Sequence, residues 1–310
     1  MKLYLHLGYP KTATKFLQRE YFSKSKNINY LGKPFNKKII KLFKEITKKK
    51  MSNNIRFKKK YIINNLSKKK INLISQESFF SIFFNKKNHI DTTIKNLRKI
   101  LKTHKLDLKI FILIRNQEDL FLSLFTESFL SIKNEYKVDN LEQFIENIDD
   151  IKFSTFLDNL NFNKRIKTLN KTFGTGNVKV FLYEDLKYNF NFFRKNLVKY
   201  LCLDYHEEKK YLKNKIIHAS KKKNEKYISN ETYLISEKLS NLWIYKKLKR
   251  ILKKNIRVKL KNIFDLRYTE NSTELYYKNL DHKKTIKNYF KSENKKINLN
   301  KIKLKKFNYI

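Results

Sequence analysis

The chain has 310 residues, 41% of them hydrophobic and 15% aromatic. That is too much apolar surface for a disordered polymer and enough for a large core. The formal net charge of +44 comes from 72 Lys and Arg against 28 Asp and Glu. The basic residues are spread over the whole chain and form no basic arm, so a specific nucleic-acid partner is not expected, although anionic ligands are attracted at long range. A single cysteine, Cys202, excludes an intrachain disulfide and a CxxC metal site. No apolar run approaches a membrane span, and the start "MKLYLHLGYPK" lacks a signal-peptide core. The expectation is a soluble, cytoplasmic protein.

Taken in chain order, short apolar runs alternate with longer helical patterns. Strands are predicted at 2–7 (KLYLHL), 71–75 (INLIS), 108–114 (LKIFILI) and 178–183 (VKVFLY). Their near-continuous apolarity suits strands covered on both faces, as in a parallel sheet. Helices are predicted at 12–24, 36–49, 90–103, 117–133, 140–149 and 152–172. Beyond 184 the pattern turns helical, at 185–201, 222–240, 242–254 and 273–291. The fold class expected is α/β: a P-loop-like parallel sheet flanked by helices, with a helical C-terminal portion. One domain over 1–310 is expected, with its sheet-bearing core at about 1–201 and a helical cap at about 202–310. Segment 246–263 is basic and weakly amphipathic. It suits peripheral contact with a membrane surface, but a solvated helix face is the preferred reading.

Open parallel sheets bind ligands beyond the carboxyl ends of their strands. The segments at those ends are Gly8-Tyr9-Pro10-Lys11-Thr12-Ala13-Thr14-Lys15, Gln76-Glu77-Ser78, Arg115-Asn116 and Glu184-Asp185. In the first, unpaired N–H groups at a helix start suit a phosphate, Thr12 and Thr14 add hydroxyls, and Lys11 adds a charge. A Walker loop requires Gly-x-x-x-x-Gly-Lys-Ser/Thr. Counted from Gly8, the final positions read Ala13, Thr14 and Lys15, so no hydroxyl stands where Mg²⁺ is held. The strand at 108–114 ends in Arg115 and not in an acid, which removes the second Mg²⁺ anchor. Arg115 is followed eight positions later by Ser123, about two turns into the predicted helix. A forked guanidinium and a hydroxyl can share one phosphate.

In these segments the chain resembles the PAPS-dependent sulfotransferases. The resemblance rests on "YPKTATK" (Tyr9–Lys15), on the Arg115…Ser123 pair and on "YEDL" (Tyr183–Leu186), in family order over roughly residues 2–201. "HASKKKNEK" (218–226) weakly resembles a late family loop. Ala13 replaces a usual Gly, Lys15 a hydroxyl residue, and Gln117 a common Pro. The resemblance implies that Lys11, Thr12, Ala13, Thr14 and Lys15 hold the 5′-phosphate of the donor, and Arg115 and Ser123 its 3′-phosphate. It implies metal-free, in-line transfer of a sulfuryl group to a hydroxyl or amine acceptor, a glycan, glycolipid or small molecule. Lys11 is then a catalytic cation, and Glu77, after the second strand, is the base.

Alternatives stand beside each assignment. Glu77 also suits a helix cap or a Lys partner. His6 suits a packed core position better than a base, and His104 falls on the wrong strand edge. Glu184 and Asp185 suit helix capping and pairing with a basic neighbour. Phe79, Phe80, Phe83 and Phe84 share one helical face and read as core before acceptor pocket. His89, His206, His218 and His282 show no metal-ligand spacing. A small-molecule P-loop kinase and a noncatalytic basic protein binding nucleic acid or anionic membrane are the rival functions.

Overall fold

The computed structural model describes residues 1–32, 39, 41–42, 46, 55–76, 79–80, 90–101, 106–138, 141–150, 153–213, 222–223, 226–229, 273–275 and 280–310. Its contacts divide the chain into two compact units. The first comprises Met1–Leu120, Asp149–His218 and Lys283–Ile310, the second Phe121–Ile148 and Ala219–His282.

The first unit is built on five parallel strands: β1 (Lys2–Leu7), β2 (Ile28–Tyr30), β3 (Ile71–Gln76), β4 (Asp107–Ile114) and β5 (Val178–Leu182). Their order is β2-β3-β1-β4-β5. The sheet is all parallel and flanked by helices, the α/β class its sequence indicates. Residues alternate across each strand. Tyr4, Phe111, Leu113 and Phe181 join one core with Phe22, Phe193, Leu197 and Leu201. Leu3, Leu5, Leu7, Ile110, Ile112 and Ile114 are buried on the opposite face. Burying each such side chain contributes roughly 1.5–3 kcal/mol, which is why both faces need helices over them. β2 escapes the sequence pattern because three residues are too few to show a period.

Three helices differ from expectation at their breaks. The run 12–24 is a short α-helix at Thr14–Phe16 that widens into a π-helix over Leu17–Phe22. Within it, Gln18 Nε2 donates to Ser75 O at 3.2 Å and to Ser75 Oγ at 3.0 Å. The run 152–172 breaks at Asn161, whose side chain accepts from Lys164 N and caps the helix Phe162–Phe173. The run 185–201 breaks at Asn189, dividing Tyr183–Tyr188 from Phe190–Tyr200.

In the second unit, Phe121, Phe125 and Tyr136 of the helix Gln117–Tyr136 pack their rings around Phe144, at 5.2, 6.1 and 6.0 Å between centroids. This unit also corrects two expected helices. Lys222–Lys223, Lys226–Ser229 and Thr273–Leu275 are strands β6, β7 and β8 of an antiparallel sheet. Tyr227, Ile228 and Thr273 are β-favouring side chains, and cross-strand pairing prevails there over a helix-like spacing. The last long helix therefore starts later, at Leu280, and ends at Lys295. The segments 242–254 and 246–263, and most of 36–49 and 218–226, lie outside the described residues. No helix among the described residues is long and apolar enough to cross a membrane.

Candidate active site

The strand order sets a topological switch point between β1 and β4. The chain leaves β1 toward β2 on one side of the sheet and leaves β4 toward β5 on the other. β1 and β4 are adjacent, with His6 in register with Phe111. Ligands of open parallel sheets lie at such a switch point, outside the carboxyl ends. The turn after β1 and the turn after β4 carry Lys11 and Arg115.

The first turn is tight. A Cβ on Gly8 would come within 2.5 Å of Thr14 Oγ1 and 2.7 Å of Thr14 Cγ2, so only glycine fits. Gly8 N donates to Gln76 O at 3.3 Å, tying the turn to β3. Lys11 and Ala13 both adopt φ 60°, a left-handed conformation that costs a residue with a Cβ about 1–2 kcal/mol. Strain of this kind gathers where a backbone shape is needed for function. Thr12 Oγ1 donates to Tyr9 O at 2.7 Å and Thr14 Oγ1 to the same oxygen at 3.3 Å. Both hydroxyl protons thus brace the turn from within, and both threonines are buried. Lys11 is half-buried and Lys15 exposed.

Beneath the turn, Tyr9 is fully buried. Its ring stacks on Phe80 at 4.7 Å and meets Phe162 edge-on at 5.2 Å. Its hydroxyl donates to Asn159 O at 3.4 Å. Phe79 and Phe80 are core side chains, 1% exposed. Burial pushes the Tyr9 hydroxyl well above its usual range, so it stays protonated.

Arg115 meets the first turn from the end of β4. Its Nη1 donates to Lys11 O at 3.2 Å, and its guanidinium lies 4.9 Å from the centre of the Tyr183 ring. Nη2 stands 3.7 Å from Asp119 Oδ2. Its Nε is buried with no hydrogen-bond partner among the described residues, an orphaned donor of the kind that a phosphate oxygen satisfies. The strained turn and this donor fit a phosphate-bearing nucleotide.

The "YEDL" segment supports the same edge. The helix Tyr183–Tyr188 has Leu182 as its N-cap, without a side-chain cap bond, and the Glu184 side chain reaches instead to the start of the helix Gln117–Tyr136. Its Oε1 accepts from Asn116 N at 2.8 Å and its Oε2 from Tyr309 Oη at 2.9 Å. Burial raises its pKa, while Asn116 N–H, its own backbone N–H, the Tyr309 hydroxyl and Arg115 act in the opposite direction. Asp185 does pair with a basic neighbour: Lys303 Nζ donates to Oδ1 at 2.9 Å and Oδ2 at 3.0 Å.

His6 is buried, stacked on Phe111 at 4.7 Å and hydrogen-bonded through Nδ1 to Ser75 Oγ at 2.8 Å. Burial lowers its pKa to about 3. It is a neutral core histidine. Ser123 is buried in the helix Gln117–Tyr136 and belongs to the second unit. Glu77, Ser78, Phe83, Phe84 and His104 lie outside the described residues. Two features of the site carried no signal in the sequence: the Tyr183 ring beneath Arg115, and Tyr309 on Glu184. Both depend on side chains brought together from distant positions.

No protein-family profile matches the chain. No curated protein sequence matches it either. Among solved structures, the crystal structure of a sulfotransferase from Alicyclobacillus acidocaldarius is similar to it, with 12% identity and a TM-score of 0.45, over 78% of this chain and 98% of that one. A likeness at that identity and score is no ground for an activity, which has to come from the residues.

Proposed function

We propose that the chain is a PAPS-dependent sulfotransferase that uses no divalent ion. One observation carries the reading: Arg115 Nη1 reaches the Lys11 carbonyl, so the two motif segments meet at the switch point of the sheet. Two like elements on separate edges could not hold one nucleotide. The strained turn and the orphaned Arg115 Nε support it further.

PAPS, when bound, supplies the sulfuryl group and a phosphate leaving group. Turn N–H groups from Lys11 to Lys15 bind the 5′-phosphate, and Lys11 neutralises the charge that grows there as the S–O bond breaks. Arg115 binds the 3′-phosphate. Glu77 takes the proton of the acceptor hydroxyl or amine as its O–S or N–S bond forms. The acceptor proposed is a glycan, glycolipid or small molecule.

Titration calorimetry with adenosine 3′,5′-bisphosphate in EDTA tests the donor site. Binding without Mg²⁺ is expected, with labelled PAPS then used to screen acceptors. Binding of ATP only with Mg²⁺, and none of the bisphosphate, overturns the reading in favour of a kinase.

A further inference from the structure

The C-terminal residues close on the turn that carries Arg115. Tyr309 Oη donates to Glu184 Oε2 at 2.9 Å, and the other carboxylate oxygen accepts from Asn116 N at 2.8 Å. The Asn116 side chain completes the ring by donating Nδ2 to Phe307 O and Asn308 O, each at 2.8 Å. Asn294 Nδ2 donates to Tyr309 O at 2.8 Å, and the Asn294 and Gln117 side-chain amides pair with each other at 3.0 Å. Tyr309, Glu184, Asn116, Gln117 and Asn294 are all buried. Every one of these bonds falls on the residue after Arg115, on the start of the following helix, or on the tail that holds them. The Arg115 side chain is itself 16% exposed and, among the described residues, hydrogen-bonds only Lys11 O. Its backbone is therefore anchored by its neighbour and its neighbour by the C-terminus.

We infer that Tyr309, acting through Glu184 and Asn116, is a positioning residue that holds Arg115 in place for the donor phosphate. This rests on the reading of Arg115 as a phosphate anchor. A buried network whose members are all satisfied is rigid, and removal of one hydroxyl leaves a carboxylate oxygen without its donor. The charged and titratable groups facing Glu184 and its partners are Arg115 at the end of β4, Asp185 with Lys303 beside it, Asp119 beyond Arg115, and Tyr309 from the tail. The Tyr309 hydroxyl lowers the Glu184 pKa. Without it, Glu184 takes up a proton at higher pH, and the Asn116 anchor weakens there.

The test is Tyr309→Phe in the full chain, with two independent readouts. Hydrogen exchange of residues 115–120 in the free protein needs no ligand. Faster exchange there, with β1 and β3 protected as before, is expected; unchanged exchange overturns the inference whatever the protein binds. The second readout is affinity for adenosine 3′,5′-bisphosphate across pH. An affinity loss of about tenfold and an acid limb moved to higher pH are expected. Adding Arg115→Ala should abolish the difference between Tyr and Phe at position 309. A Tyr309→Phe effect that persists undiminished without Arg115 overturns positioning through that residue. If the bisphosphate fails to bind the unaltered protein, the donor reading falls, and the exchange result still decides whether Tyr309 holds the turn.

Discussion

Arg115 Nη1 donates to the carbonyl of Lys11 across 3.2 Å, joining the end of β4 to the turn after β1. The bond removes one degree of freedom from each partner before any ligand arrives. It also brings the guanidinium to the turn that carries Lys11, the proposed catalytic cation. Preorganised donors of this sort stabilise developing charge without reorganising at the moment of reaction.

Lys11→Ala should lower kcat about 10²-fold, from the roughly 3 kcal/mol that one such donor supplies. Thermal unfolding should move little, since Lys11 is half-buried on a turn and outside the core. Turnover and a melting curve on the same sample check this, and near-normal turnover would exclude Lys11 from the chemistry.

The two small residues of the turn should respond in opposite directions. Gly8→Ala drives a Cβ into Thr14 and should cost about 1–3 kcal/mol together with bisphosphate binding. Ala13→Gly relieves a φ of 60° and should raise stability by about 0.5–1 kcal/mol after the added chain entropy. Urea unfolding of both variants decides it. A loss of stability in Ala13→Gly, or no loss in Gly8→Ala, would mean that the turn is shaped by something other than these two positions.

His6 should leave a signature in the pH dependence of stability. Its pKa falls from an ordinary 6.5 to about 3 in the fold. Between those values the unfolded chain binds the extra proton, so stability is full above about pH 6.5 and falls as the pH drops toward 3. The slope from this one group is about 1.4 kcal/mol per pH unit. His6→Phe should remove that slope over pH 4–6. An unaltered slope would mean that His6 is charged in the fold.

Arg165 offers a test of the support beneath Tyr9. It is 1% exposed and bonds Asp91 Oδ1 at 2.6 Å and Asp158 Oδ2, two carboxylates that are themselves 44% and 37% exposed. Removing both acids leaves a buried cation and should cost about 3–5 kcal/mol. Arg165→Met leaves only carboxylates within reach of water and should cost less. Denaturant midpoints for the two variants test the order, and the reverse ranking would show that the arginine is stabilised by water or backbone alone.

Much of the fold was legible because its signals are local. Four of the five parallel strands are continuous apolar runs, and a run buried on both faces has few other places to go. Gly8 could be placed in a turn because the helical pattern begins just after it. The breaks at Asn161 and Asn189 and the π-helix at Leu17–Phe22 were not legible, since helical spacing continues through them. The strands β6 to β8 were hidden for a related reason: antiparallel pairing joins Tyr227 to Leu275 across a long separation in sequence, and no local period records it.

The sequence by itself determined the alternating α/β class and the order of the segments that follow the strands, because hydrophobic period and turn chemistry are properties of neighbouring residues. Tertiary structure alone decided that Arg115 bonds the Lys11 carbonyl, that His6 is held neutral between Phe22 and Phe111, and that Tyr309 reaches Glu184. Those relationships depend on strand order and on burial. Both arise only when segments far apart in the chain exclude water from the same place.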